Sequence, residues 1–159
     1  MPHLRLYVPE EWLASTFQES TGFDAKRLLD RLVQVVADFK MPDPKRPGAD
    51  IPMINLSNLK HAIIPLRDAH MAGDENKRFL HCTLAAGNDT PGRTAQVRSE
   101  ASYVLGDAID EFTKGLPGLG SVTVWIQDID RDRGYTTTFV RKRRRGADHD
   151  MATDEHGEH

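Results

Sequence analysis

The strongest constraint on this chain is a change of hydrophobic period, from two to about 3.6 and back, made twice in the same order. Residues 3–8 alternate, with Leu4, Leu6 and Val8 on one face and His3, Arg5 and Tyr7 on the other. A helix follows from an Asp24 cap to about Lys40, with Leu28, Leu29, Leu32, Val35, Val36 and Phe39 on one apolar stripe. Residues 59–66 read as a second strand, with Pro65 near its end or on an edge. After a turn around Ala72, Gly73 and Asp74 the cycle repeats. A strand spans Arg78 to Ala86, a helix runs from about Thr94 to Lys114, and a further strand spans Ser121 to Ile129. Gly115-Leu116-Pro117-Gly118 ends that second helix.

Two strand–helix–strand units placed side by side predict an α+β fold: a four-stranded sheet with two helices on one face. The domain is expected to span residues 1–140, with pseudo-repeat halves at about 1–70 and 76–130. One sheet face is then left without a covering layer. With only 38% hydrophobic residues, the chain has a modest core, which points to apolar surface buried between subunits. Residues 10–22 form a connection with a short helical turn around Trp12 and Phe17. Pro42, Pro44, Pro47 and Gly48 predict a loop running to about Asp50. Tyr135 to Val140 suits a short edge strand or hairpin arm, and residues 141–159 read as a charged, disordered tail.

The formal charge of −3 carries no general signature of nucleic-acid binding, and the cationic run Arg141 to Arg145 reads as solvated tail. A single cysteine, Cys82, excludes an intramolecular disulfide and fits a reducing compartment and a core position. No signal peptide and no long apolar run are present, so a cytoplasmic protein without membrane contact is expected. His149, His156 and His159 are too loosely spaced for a metal site, and His81 suits a structural histidine within a strand.

Three motifs carry chemical information. The chain opens Pro2-His3-Leu4, directly into a strand. The third strand contains Arg78-Phe79-Leu80-His81-Cys82-Thr83-Leu84, and Gly92-Arg93-Thr94 leads into the second long helix. Together they resemble the tautomerase superfamily, and within it the 5-carboxymethyl-2-hydroxymuconate isomerase family, over about residues 2–130. The resemblance implies a homotrimer with sheets facing a shared centre, and a reaction without metal or organic cofactor. It also implies that Pro2, freed by removal of Met1, is the catalytic base. A free α-amino group titrates at about 7.7–8.0, and burial or nearby cations lower that value, leaving a base poised near neutrality.

By the same resemblance, Arg93 and Lys60 bind the carboxylate of a small-molecule substrate and hold charge on the developing dienolate. Lys60 stands where the family has arginine, which keeps the charge but loses the bidentate fork. The segment 41–55 is an insertion able to reshape the pocket. Two other readings share the fold: a hydratase or dehalogenase using charged Pro2 as acid, and a non-enzymatic trimer binding a polyanion through its tail.

Overall fold

The computed structural model describes residues 2–87, 91–130 and 134–143. From the N-terminus, β1 (His3–Pro9) leads through a 3-10 turn (Glu10–Leu13) and a short helix α1 (Ser15–Thr21) to α2 (Ala25–Asp38). A ribbon of β2 (Lys40–Pro42) and β3 (Asp50–Pro52) and a second 3-10 turn (Leu56–Asn58) precede β4 (Lys60–Leu66). The second half holds β5 (His70–Met71), β6 (Asp74–Gly87), α3 (Ala95–Phe112), β7 (Leu119–Asp130) and β8 (Gly134–Arg143).

The main sheet has the order β4-β1-β6-β7-β8, with β5 attached to β6. β1 and β4 are parallel across α2, β6 and β7 are parallel across α3, and the two units meet antiparallel at β1 and β6. The four expected strands and two long helices are therefore in place, widened by a fifth strand on the β7 edge. α2 packs over β1 and β4, and α3 over β7 and β8, so both helices cover the same sheet face.

Local chemistry explains these elements. The Asp24 side chain accepts hydrogen bonds from the backbone N–H groups of Lys26 (2.9 Å) and Arg27 (3.1 Å), which satisfies two of the free donors of α2. Leu28, Leu29, Leu32, Val35 and Val36 of that helix meet Leu4, Leu6, Val8, Leu80, Leu84 and Ile126 of the sheet, all buried. Cys82 lies fully within this core, where burial pushes its thiol up to about 12, leaving it a small apolar residue. Trp12, Phe17, Phe23 and Phe112 close one end of the core with ring centroids 5.2–6.4 Å apart.

Several boundaries differ from the periodicity reading. Phe39 is already extended, and Lys40 begins the ribbon in place of ending the helix. The proline-rich segment is a two-stranded ribbon and not a plain loop, with Met41 facing Ile51 and Pro42 facing Asp50. Met41, Met53 and Ile54 are buried and anchor it. β6 starts at Asp74 because β5 folds back on it. β8 runs to Arg143, so Arg141, Lys142 and Arg143 belong to the sheet backbone, three residues past the boundary placed at 140. The remainder of the expected tail, 144–159, lies outside the described residues.

Candidate active site

Pro2 lies immediately before β1 and is half-buried. Its carbonyl oxygen accepts the Lys60 backbone N–H at 3.0 Å, which ties it to the start of β4. Alternation along β1 places Pro2 on the side of Leu4, Leu6 and Val8, the side covered by helices. Leu4 faces Leu84 and His3 faces Ala85, so one further step sets Pro2 opposite Ala86. Ala86 in turn pairs with Asp128 on β7. Pro2 and Asp128 thus share one face and one end of the sheet, two strand spacings or roughly 10 Å apart.

Arg93 reaches the same end from the lead-in to α3. Thr94 caps that helix, its hydroxyl accepting the Val97 N–H at 3.2 Å. The Arg93 side chain is only 5% exposed and lies 3.5 Å from Asp128, itself 7% exposed. Its Nη1 donates to the Gly87 carbonyl at 2.6 Å and its Nη2 to the Met53 carbonyl at 3.0 Å. A second cation completes the group: Arg98 Nη1 contacts the other Asp128 oxygen at 2.5 Å and donates to the Arg93 carbonyl at 2.9 Å. Removing charges from water is costly, and sharing one carboxylate between two guanidiniums offsets that cost. The result joins the ends of β6 and β7, the start of α3 and the segment after β3.

Gly92 allows this convergence. Its φ of +91° suits glycine, and a Cβ there would stand 3.2 Å from Pro44 Cδ and 3.4 Å from the Pro42 carbonyl oxygen. The ribbon therefore sits directly against the Gly92-Arg93 step. The 41–55 segment is structurally part of the Pro2 end.

Lys60 is placed differently. It pairs with His3, while its neighbour His61 pairs with Leu4. Lys60 thus shares the uncovered face with His3 and Arg5, on the opposite side from the Pro2, Leu4 and Asp128 series. The His3 imidazole is held below its ordinary value, first by desolvation and then by the charges of Arg5 and Lys60. Pro2 and Arg93 converge, and Lys60 joins them only through its backbone. Asp128 and Arg98 were not among the residues expected at this end. One signal was available: Asp128 continues the buried series Val122, Val124 and Ile126, where an apolar residue is the rule.

The uncovered face carries an aromatic row. Tyr7 and His81 have ring centroids 5.2 Å apart, and His81 meets Trp125 edge-on at 4.7 Å, with Trp125 still 37% exposed. Desolvation lowers the His81 pKa, outweighing an opposing hydrogen bond with the Thr123 backbone. The unfolded chain therefore takes up this proton first as the pH falls, and native stability drops below the ordinary value of 6.5. Chemical denaturation at pH 7.5 and pH 5.5 is expected to show a smaller loss on acidification for His81→Phe than for the wild type. An equal loss in both would remove His81 as a source of acid sensitivity.

Among the described residues, no group of His, Cys, Asp or Glu is arranged to hold a metal ion. His149, His156 and His159 lie outside those residues. No helix among the described residues is long and apolar enough to cross a membrane.

No family model and no curated protein matches the sequence of this chain. Solved structures do match its fold. A 5-carboxymethyl-2-hydroxymuconate delta-isomerase superposes with a TM-score of 0.60 at 15% identity, over 80% of this chain and 82% of that one. Pt0534, solved after inactivation by 2-oxo-3-pentynoate, gives a TM-score of 0.51 at 20% identity, over 82% and 88% of the two chains. This chain shares the fold of these two proteins, the α+β arrangement expected from its two strand–helix–strand units.

Proposed function

We propose that this chain is a cofactor-independent tautomerase that moves a proton in an unsaturated keto or hydroxy carboxylic acid. The free amine of Pro2, exposed once Met1 is removed, takes the proton next to the carbonyl and returns it at another carbon. Arg93 attracts the substrate carboxylate and stabilises the dienolate charge, whereas the Lys60 side chain stands on the opposite face and has no part in this step. The placement of Pro2 carries this reading. Once freed, Pro2 presents a secondary amine at the start of β1, at the same sheet end as the Arg93–Asp128 pair.

Association of three copies through the uncovered face, in the cytoplasm, completes the proposal. Tyr7, His81 and Trp125 provide an aromatic surface of the kind that a subunit contact uses.

The test is a steady-state assay with phenylenolpyruvate and with 2-hydroxymuconate. Saturable ketonisation of either, without added metal, is expected. Turnover of a haloacrylate in place of both would move the assignment to hydration or dehalogenation. Inactivity on all three, with salt-sensitive binding lost on deletion of residues 144–159, would leave a binding protein on the same fold.

A further inference from the structure

We infer that Asp128 is the positioning residue of the Pro2 end: it fixes Arg93 and Arg98 there and sets the field in which the Pro2 nitrogen titrates. The inference rests on the reading of Pro2 as a free amine. Asp128 is a buried carboxylate on an otherwise apolar strand face, pinned between Arg93, just before the Thr94 cap of α3, and Arg98 near the start of that helix. Nothing in the core requires a charge there, since Val122, Val124 and Ile126 fill the preceding positions with apolar side chains.

The geometry supplies a function for it. Arg98 is held against both the Asp128 carboxylate and the Arg93 carbonyl, so the first turn of α3 cannot rotate without breaking the contact to β7. Arg93 is oriented from the other side by the Gly87 and Met53 carbonyls. Loss of the Asp128 charge therefore does two things. It loosens the common anchor of the guanidiniums, and it makes the Pro2 end more positive by one unit of charge.

The charged and titratable groups around Pro2 are His3 and Arg5 on β1, Lys60 and His61 on β4, and Arg93, Arg98 and Asp128 on the facing elements. Added positive charge disfavours the ammonium form and lowers the Pro2 pKa, and removed positive charge raises it. Over roughly 10 Å, with an effective dielectric constant between about 20 and 80, one unit charge shifts that midpoint by about 0.3 to 1.2 pH units.

The experiment is a direct titration of the Pro2 amine by NMR, in protein labelled with 15N-proline and confirmed by intact mass to lack Met1. Asp128→Asn is expected to lower the midpoint, Arg98→Gln to raise it, and Asp128→Glu to restore it to near the wild-type value. General loosening of the fold would move the two charge variants in the same direction, so shifts of one sign overturn the inference, as does no shift in either. Should Asp128→Asn fail to fold, Arg98→Gln against wild type decides by its sign. A chain with no titrating amine at Pro2 overturns the inference together with the reading of Pro2 as base. Opposed shifts in a protein inactive on both test substrates would count against the reaction alone.

Discussion

Alanine in place of Pro2 is expected to lower kcat/KM by about 100-fold, at the low end of what a positioned acid or base contributes. The loss is not larger because alanine, once Met1 is removed, still presents a primary amine at the start of β1. What it lacks is the secondary amine and the ring that fixes the backbone entering the strand. The Lys60 N–H bond to the carbonyl of residue 2 survives the change, so the strand pairing should too. Circular dichroism and thermal melting should therefore match the wild type while turnover falls. Chain that keeps Met1 has an amide nitrogen at Pro2, with no basic lone pair, and is expected to be inactive at any pH. Intact mass on each preparation separates the two species. Full activity in Pro2→Ala would remove the base from this site and leave the isomerase reading without its central residue.

The layered core was legible in the chain because it depends on local periodicity. Leu4, Leu6 and Val8 alternate, Leu28 to Val36 repeat at helical spacing, and Asp24 stands where a cap belongs, so strand, helix and their packing faces all follow. The ribbon was hidden by its own composition. Pro42, Pro44 and Pro47 read as breakers, although a two-stranded ribbon tolerates proline, as at Pro42 and Pro52, where no N–H is needed for pairing. Met41 and Met53 anchor it, and neither stands out from the sequence around it.

The site was less legible, for reasons of register and distance. Lys60 and His61 are adjacent, and a single-residue step decides which of them shares the Pro2 face. The parallel pairing of β1 with β4 settles this, giving Lys60 to the His3 face and His61 to the Leu4 face. Arg93 was visible as a cation before a helix, but its burial depends on Asp128, 35 residues away, and on carbonyls from Gly87 and Met53. No short-range pattern encodes that combination.

Arg93→Ala is expected to be the most destabilising single change at this end, by about 3 to 5 kcal/mol, the range for breaking one side of a buried ion pair. Both side chains are nearly inaccessible, at 5% and 7%, so solvent does not screen the loss. In a chain of 159 residues, a change of that size lowers Tm by roughly 6 to 20 °C. Two carbonyls, of Gly87 and Met53, also lose a charged donor, which loosens the segment after β3 from the end of β6. Arg98 stays on Asp128, so the carboxylate is not abandoned and the loss should fall toward the lower figure. The double variant Arg93→Ala, Asp128→Ala should lose less than the sum of the two single changes, because the second removes a charge that the first leaves underpaired. Thermal melts of the three variants measure this directly. Arg93→Lys separates anchoring from substrate binding: it keeps a cation beside Asp128 but loses the fork that spans both carbonyls. It should recover part of the stability and little of the affinity for a carboxylate substrate. A melt of Arg93→Ala at the wild-type temperature would show that the buried node is not what fastens α3 and the ribbon to the Pro2 end of the sheet.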